Sequence, residues 1–200
     1  RPSIVHFNLN NSFSCFFPIL AAFFAGVRWR LATEHLAFEL ASGKRAGIGT
    51  KKLVKRIMTF CLQYTAAVSQ ANKRLLVRDY KIDPIRIKLI RNCIDAGKFR
   101  FSSEGRRRLR SEFGVSEEQL LVGSVARFSF QKGHQYMVEA IPAILESFPE
   151  ARFLLVGDGP EREKIAQKVD NLGLRGKVLF AGERQDIADV LSAMDVFLLS

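Results

Sequence analysis

A chain of 200 residues, 48% apolar and 26% charged, can bury one large core or two modest ones and is not the composition of a disordered or fibrous protein. Its net charge of +11 is unevenly spread: residues 1–110 carry 22 Lys and Arg against 6 Asp and Glu (+16), residues 111–200 carry 9 against 14 (−5). That reversal predicts two domains with different partners, the first of them facing phosphates, an anionic membrane surface or nucleic acid. Three scattered cysteines (Cys15, Cys61, Cys93) and three scattered histidines (His6, His35, His134) show neither a disulfide framework nor metal-ligand spacing. Reduced thiols in a reducing cytoplasm are therefore expected, with no bound metal.

Ser3 to Phe7 reads as a buried strand. Phe13 to Val27 is almost wholly apolar but is short for a membrane span and is followed by Arg28 and Arg30, so a buried or interfacial helix stopped by Gly26 is expected. Trp29 to Thr33 reads as the next strand, and Gly43 to Lys55, rich in glycine and lysine, as a mobile stretch. Leu53 to Leu62 has helical spacing. Tyr64 to Ser69 reads as a strand whose serine caps a helix over Gln70 to Tyr80. Asp83-Pro84 marks a turn, Ile87 to Ile90 is a further apolar run, and the basic stretch 99–115 reads as a linker or surface helix.

From Leu120 the alternation is regular. Strands are expected at Leu120–Ala126, Arg152–Val156, Val178–Ala181 and Val196–Leu199, with helices at Gly133–Phe148, Glu161–Leu172 and Ile187–Met194 between them. Such alternation predicts a parallel sheet with helices on both faces and ligands at the carboxyl ends of the strands. Two α/β domains follow, at residues 1–98 and 116–200. Because an apolar strand immediately precedes Ser200, the chain is expected to be an internal piece of a longer protein, with both domains incomplete.

The most informative loop is Ala126 to His134. It leaves a strand, opens a helix, and carries Arg127, Lys132 and Gly133: a bidentate cation, a mobile cation and a glycine that lets backbone come close to a phosphate. It is not a Walker A loop. The turn Val156 to Pro160 holds Gly157 and Gly159, whose backbone can line a base or ribose pocket, though the full dinucleotide fingerprint is absent. His35 closes a strand and so sits at the ligand edge of the first sheet.

The runs VARFSFQKGHQYMVEAIPAI, FLLVGDGPEREKI, VLFAG and DIADVLSAMDVFLLS, with PSIVHF, ATEH, AAVSQANKRLL and IRNCID before them, resemble in order and spacing the family-4 retaining glycosyltransferases of the GT-B fold. The resemblance implies two Rossmann-like parallel-sheet domains, an acceptor-side domain at 1–98, a basic linker at 99–115 and a donor-binding domain at 116–200. It implies that Arg127, Lys132 and Gly133 hold the donor diphosphate, that His35 is the active-site histidine near the transferred sugar, and that Gly182 and Glu183 lie near the base with Gly157 and Gly159. Asn92 and Asp95 fall in the interdomain stretch, where Cys93 replaces the glycine of the family's N-G-[IV]-D. The family's glycine-rich acceptor loop and paired-glutamate motif have no counterpart in these 200 residues, so the chain by itself is expected not to transfer sugar.

The expected activity is transfer of a sugar from a nucleotide-diphosphate donor to an unknown acceptor, anionic or lipid-linked, in envelope polysaccharide or glycolipid synthesis. No cofactor is expected. Basic clusters at Lys51-Lys52, Lys55-Arg56 and Arg106-Arg107-Arg108 suit an anionic acceptor or a peripheral contact with anionic lipid at the cytoplasmic face. The alternatives are a GT-B-fold sugar-nucleotide epimerase and, from another class, a nucleic-acid-binding protein. The latter lacks interleaved aromatics and any recognised module, and no nucleic-acid partner is expected.

Overall fold

The computed structural model describes residues 2–10, 13–35 and 48–199 and divides into two compact units, Arg1–Ile94 and Asp95–Ser200. In the first, strands β1 (Ile4–Leu9), β2 (Trp29–Glu34), β3 (Tyr64–Ala67) and β4 (Ile87–Leu89) pair in chain order and in parallel. Helices α1 (Phe16–Phe24), α2 (Ile48–Cys61) and α3 (Gln70–Tyr80) form the crossovers. Because each crossover steps to the next neighbour in the same direction, right-handed connections put all three helices on one side. The burial follows: Phe7, Leu9 and Ala32 pack with Ile19 of α1 and Met58 of α2, while Ala67 and Ile87 pack with Leu76 of α3. His6 and Asn8, on the alternate positions of β1, are exposed. Helices on both faces, expected from the regular alternation after Leu120, are found in the second unit, whereas among the described residues of the first unit the helices lie on one face.

Local signals account for the helix ends. Ser69 Oγ accepts from the Asn72 amide at 3.0 Å and caps α3. Gly26, with φ +68°, ends α1, and the Val27 amide reaches back to Ala22 O. The stretch expected to be mobile differs from the structure over 48–55, which forms the first two turns of α2; residues 43–47 lie outside the described residues. The reason is Lys55, which is not a surface charge. It is 1% exposed and ion-paired with Glu34, itself fully buried, so the helix is anchored at its middle.

The second unit has strand order β7-β6-β5-β8, from β5 (Leu121–Val125), β6 (Arg152–Val156), β7 (Val178–Gly182) and β8 (Val196–Phe197), all parallel. The order reverses at β5, so α5 (His134–Ser147) and α6 (Arg162–Asn171) cover one face while α4 (Ser103–Glu112) and α7 (Ile187–Ala193) cover the other. Alternate strand residues divide accordingly: Val122, Phe153 and Leu155 face the first helix pair, Leu121, Leu154 and Val156 the second.

Residues 99–115, expected as a basic linker or surface helix, carry α4 and belong to the second unit. Ser102 Oγ caps α4 through the Gly105 amide at 2.9 Å, and Leu109 and Arg110 are buried. Its arginines answer Glu117 close by and acids some eighty residues away. Arg106 bonds Glu117 and Asp195 (both 2.9 Å), and Arg108 bonds Asp186 and Asp189 (both 2.7 Å). The cluster Arg106-Arg107-Arg108 is thus largely spent inside the fold, and so is Lys55. With the boundary at residue 95, the first unit holds 16 Lys and Arg against 4 Asp and Glu (+12), and the second holds 15 against 16 (−1).

Candidate functional site

Three loops meet at the carboxyl edge of the second sheet. The chain leaves β5 through Ala126–Ser129 and a 3-10 turn at Phe130–Lys132 before Gly133 starts α5. It leaves β6 through Gly157, Asp158 and Gly159. Main-chain hydrogen bonds fasten these loops together: the Phe128 amide donates to Asp158 O (2.9 Å), the Glu161 amide to Phe128 O (3.1 Å), and the Gly157 amide to Gly182 O at the end of β7 (2.7 Å). Glycine is required by the closeness of the approach as much as by the turn. A Cβ on Gly157, whose φ is +125°, would lie 2.3 Å from Ala126 O, and one on Gly159 would lie 2.4 Å from Phe128 O.

The loops bound a cleft of about 930 Å³ lined by Arg127, Gly157, Asp158, Gly159, Glu183 and Arg184 among others, a volume that suits a ligand of nucleotide size. Of the residues singled out from the sequence, the cleft brings together Arg127, Gly157, Gly159 and Glu183, and Gly182 supports it through its carbonyl. Arg127 and Glu183 are exposed. Lys132 and Gly133 do not line the cleft: Lys132 is exposed at the end of the 3-10 turn, and Gly133 (φ +62°) is the N-cap of α5.

Two charged residues of the lining are not among those singled out from the sequence. Asp158 offers its main-chain oxygen to the neighbouring loop. Arg184 is held by Asp186 (2.8 Å) and Glu112, and its guanidinium lies 5.6 Å from the Phe113 ring centre. Hydrogen bonds from Arg184 and then Arg108 hold the Asp186 carboxyl far below the usual carboxylate range. The only sequence signal for Arg184 is its place two residues after Gly182.

Behind the loop, His134 is 2% exposed and stacks face to face on Phe128, with ring centres 4.4 Å apart and planes 8° from parallel. Neither ring nitrogen has a hydrogen-bond partner. Burial, and secondarily the charge on Lys132, lowers its pKa below the ordinary histidine value. A depressed histidine is buried neutral, so its contribution to stability is complete above the unfolded value near 6.5 and is lost as pH falls through the lower folded value. Thermal melts at pH 7.5 and 5.5 are expected to show a larger loss of stability for the native chain than for His134→Phe; equal losses would contradict this assignment.

The remaining candidates lie elsewhere. His35 follows β2 in the first unit, exposed, its amide donating to Leu9 O at 3.2 Å. Asn92 and Asp95 are exposed at the boundary of the two units, and Asp95 Oδ1 accepts from the Gly97 amide at 3.0 Å. Cys93 is not of positive φ; among the described residues, those outside glycine are Cys15 and Lys81. Among the described residues, no group of three His, Cys, Asp or Glu could hold a metal ion.

Comparison with known proteins places this geometry. The family described as Glycosyl transferases group 1 matches residues 105–200. The chain is 28% identical over 186 residues to UDP-Gal:alpha-D-GlcNAc-diphosphoundecaprenol alpha-1,3-galactosyltransferase of Escherichia coli, covering 90% of this chain and 47% of that protein. It is 27% identical over 197 residues to the phosphatidylinositol N-acetylglucosaminyltransferase gpi3 subunit of Schizosaccharomyces pombe, covering 98% of this chain and 40% of that protein. Among solved structures, Anabaena Alr3699/HepE in complex with UDP and glucose superposes with a TM-score of 0.75 at 25% identity, over 96% of this chain and 51% of that one. The chain thus spans about half the length of these three proteins, or less. Its two parallel-sheet α/β units are those of the GT-B fold. Over residues 105–200 the chain is similar to the glycosyl transferases group 1 family.

Proposed function

We propose that the protein transfers a sugar from a nucleotide-diphosphate sugar to an acceptor, with retention of the anomeric configuration, in envelope polysaccharide or glycolipid synthesis. The observation that carries this reading is the cleft at the carboxyl ends of β5, β6 and β7, where Arg127 faces the paired glycine loop. Arg127 grips the diphosphate bidentately, while Lys132 and the start of α5 at Gly133, outside the cleft lining, add positive potential from farther off. As the bond to the leaving diphosphate breaks, negative charge grows on its oxygens, and fixed cations lower the barrier without a protein nucleophile. Gly157, Gly159, Gly182 and Glu183 border the base and ribose, and His35 acts beside the transferred sugar. The reading calls on no resident metal or cofactor. Its support is the family match and the likeness to a chain solved with UDP and glucose.

A titration panel of nucleoside diphosphates against the protein tests the reading. Saturable binding of one of them, with none of a nicotinamide dinucleotide, is expected; failure of every nucleoside diphosphate to bind would sink it.

The location proposed is the cytoplasm, peripheral at the inner face of the membrane, where an anionic or lipid-linked acceptor is available. On α2, Leu53, Ile57 and Phe60 form an exposed apolar stripe at helical spacing, flanked by Lys51, Lys52 and Arg56, on a unit of net charge +12. Among the described residues no helix is long and apolar enough to cross a membrane. Co-sedimentation with vesicles containing about 30% anionic lipid is expected, weakened by Phe60→Glu and by salt. Equal partitioning to neutral vesicles would refute it.

A further inference from the structure

Among the described residues, the buried face of the first sheet is apolar except for the hydroxyl of Thr65 and one charged residue. Glu34, the last residue of β2, pairs in register with Leu9 of β1 and Ala67 of β3, both fully buried hydrophobics. Glu34 is itself 0% exposed, and its carboxylate is met by the buried Lys55 ammonium from α2. Its main-chain oxygen accepts from Asn72 Nδ2 of α3 at 2.7 Å. The next amide, that of His35, donates to Leu9 O at 3.2 Å. The single peptide group between Glu34 and His35 is therefore held at both ends, its oxygen by α3 and its N–H by the end of β1, while the side chain before it is tied to α2.

This arrangement is poor as a device for stability. A buried ion pair is commonly no better than two well-packed apolar residues, and Leu9 and Ala67 show what this face otherwise uses. The cluster also leaves Glu34 Oε1 and Asn72 Oδ1 buried without hydrogen-bond partners, a cost that calls for another explanation. What the cluster does achieve is orientation: it fixes the plane from which the exposed His35 side chain departs.

We infer that Asn72 and Glu34, with Lys55, are positioning residues for His35, an inference that rests on the reading of His35 as acting beside the transferred sugar. Asn72 is the most direct probe, because it touches the peptide oxygen and carries no charge whose loss would leave a buried ion.

Three histidines make the test readable by carbon-13 labelling of histidine rings, with His35 assigned by His35→Ala. Asn72→Leu is expected to shift or broaden the His35 signal and leave those of His6 and His134 in place; an unmoved His35 signal overturns the inference. In turnover of the nucleotide sugar chosen by the diphosphate panel, measured on the whole protein that carries these 200 residues, Asn72→Leu is expected to lower kcat about tenfold to hundredfold with donor KM unchanged, the scale of a small misplacement of a reacting group. In a His35→Ala background the same substitution is expected to cost nothing further in kcat. If Asn72→Leu lowers kcat by the same factor in both backgrounds, the residue is merely structural and the inference is lost. If instead His35→Ala leaves kcat unchanged, the reading of His35 fails first and takes the inference with it. Asn72→Ser, which keeps a small polar side chain, enters the same cycle if the leucine variant does not fold.

Discussion

Arg127→Ala is expected to weaken nucleoside-diphosphate binding by about one to two orders of magnitude, the equivalent of one strong charge-assisted hydrogen-bonded pair. Arg127 is the only lysine or arginine on the loop leaving β5 that lines the cleft, and it is exposed, so its removal opens no cavity in the core. The melting temperature is expected to stay within about 2–3 °C of the native value, as for most surface substitutions. Arg127→Lys should recover only part of the affinity, because an ammonium lacks the planar fork that meets two phosphate oxygens together. Lys132→Ala should cost less than Arg127→Ala, since Lys132 stands outside the lining. Calorimetric titration decides: an Arg127→Ala affinity within twofold of native would remove the diphosphate grip from this residue.

Arg110→Met is expected to be the most destabilising change in the second unit. Arg110 is 2% exposed, and its guanidinium is consumed by main-chain oxygens of Ser116 (3.2 Å), Ala193 (2.9 Å) and Gln119 and by Asp195 Oδ2 (3.1 Å). The same Asp195 oxygen accepts from the Leu121 amide at 2.7 Å, the first residue of β5. Burial by itself would raise the Asp195 pKa, but the Leu121 amide, Arg106 and Arg110 outweigh it and hold the carboxyl below its usual value. Removing the cation strands several buried acceptors, a loss of about 3–5 kcal/mol. For a unit of this size that lowers the melting point by roughly 12 °C or more. Arg110→Lys should not rescue, because one ammonium cannot reach four oxygens in that geometry. A drop of less than about 4 °C would show the network to be dispensable. Since the folded Asp195 pKa is depressed, its contribution is present above the unfolded value near 3.9 and is lost as pH falls through the folded one.

Much of this architecture is legible in the chain because a parallel sheet writes itself twice, as apolar strands and as amphipathic helices between them. Ser69 announces the start of α3, Gly26 the end of α1, and every strand of the second unit falls within a residue or two of its expected place, except that β8 is shorter. The glycines of the β6 loop were visible as a turn; that they exist to let two backbones touch was not, because the partner oxygens of Ala126 and Phe128 are thirty residues away. Charge misled most. A basic run reads as a solvated face by default, yet Lys55 and Arg110 are buried, and Arg106 and Arg108 are matched to Asp186, Asp189 and Asp195. Nothing local distinguishes an arginine that faces water from one that closes a network with acids eighty positions later. The same blindness hid the ties on His35: its position at a strand end was readable, but Asn72 and Lys55 come to it only through the fold.

The Arg110–Asp195 bond also says something about how the chain comes into being. The two residues are 85 positions apart, and α4 is made first. While the ribosome is still producing β6 and β7, Arg110 has the nearby Glu117 carboxylate (3.6 Å) but not that of Asp195, and α4 has no α7 to lie against, so that half of the unit stays open until residue 195 emerges. From the completion of β6 at Val156, 39 residues remain to Asp195, so at about 5–20 residues per second the apolar face of β5 and β6 that later meets α7 is uncovered for on the order of 2–8 seconds. This is the window in which chaperone capture or misassembly would be most damaging, and it closes when the chain reaches Asp195.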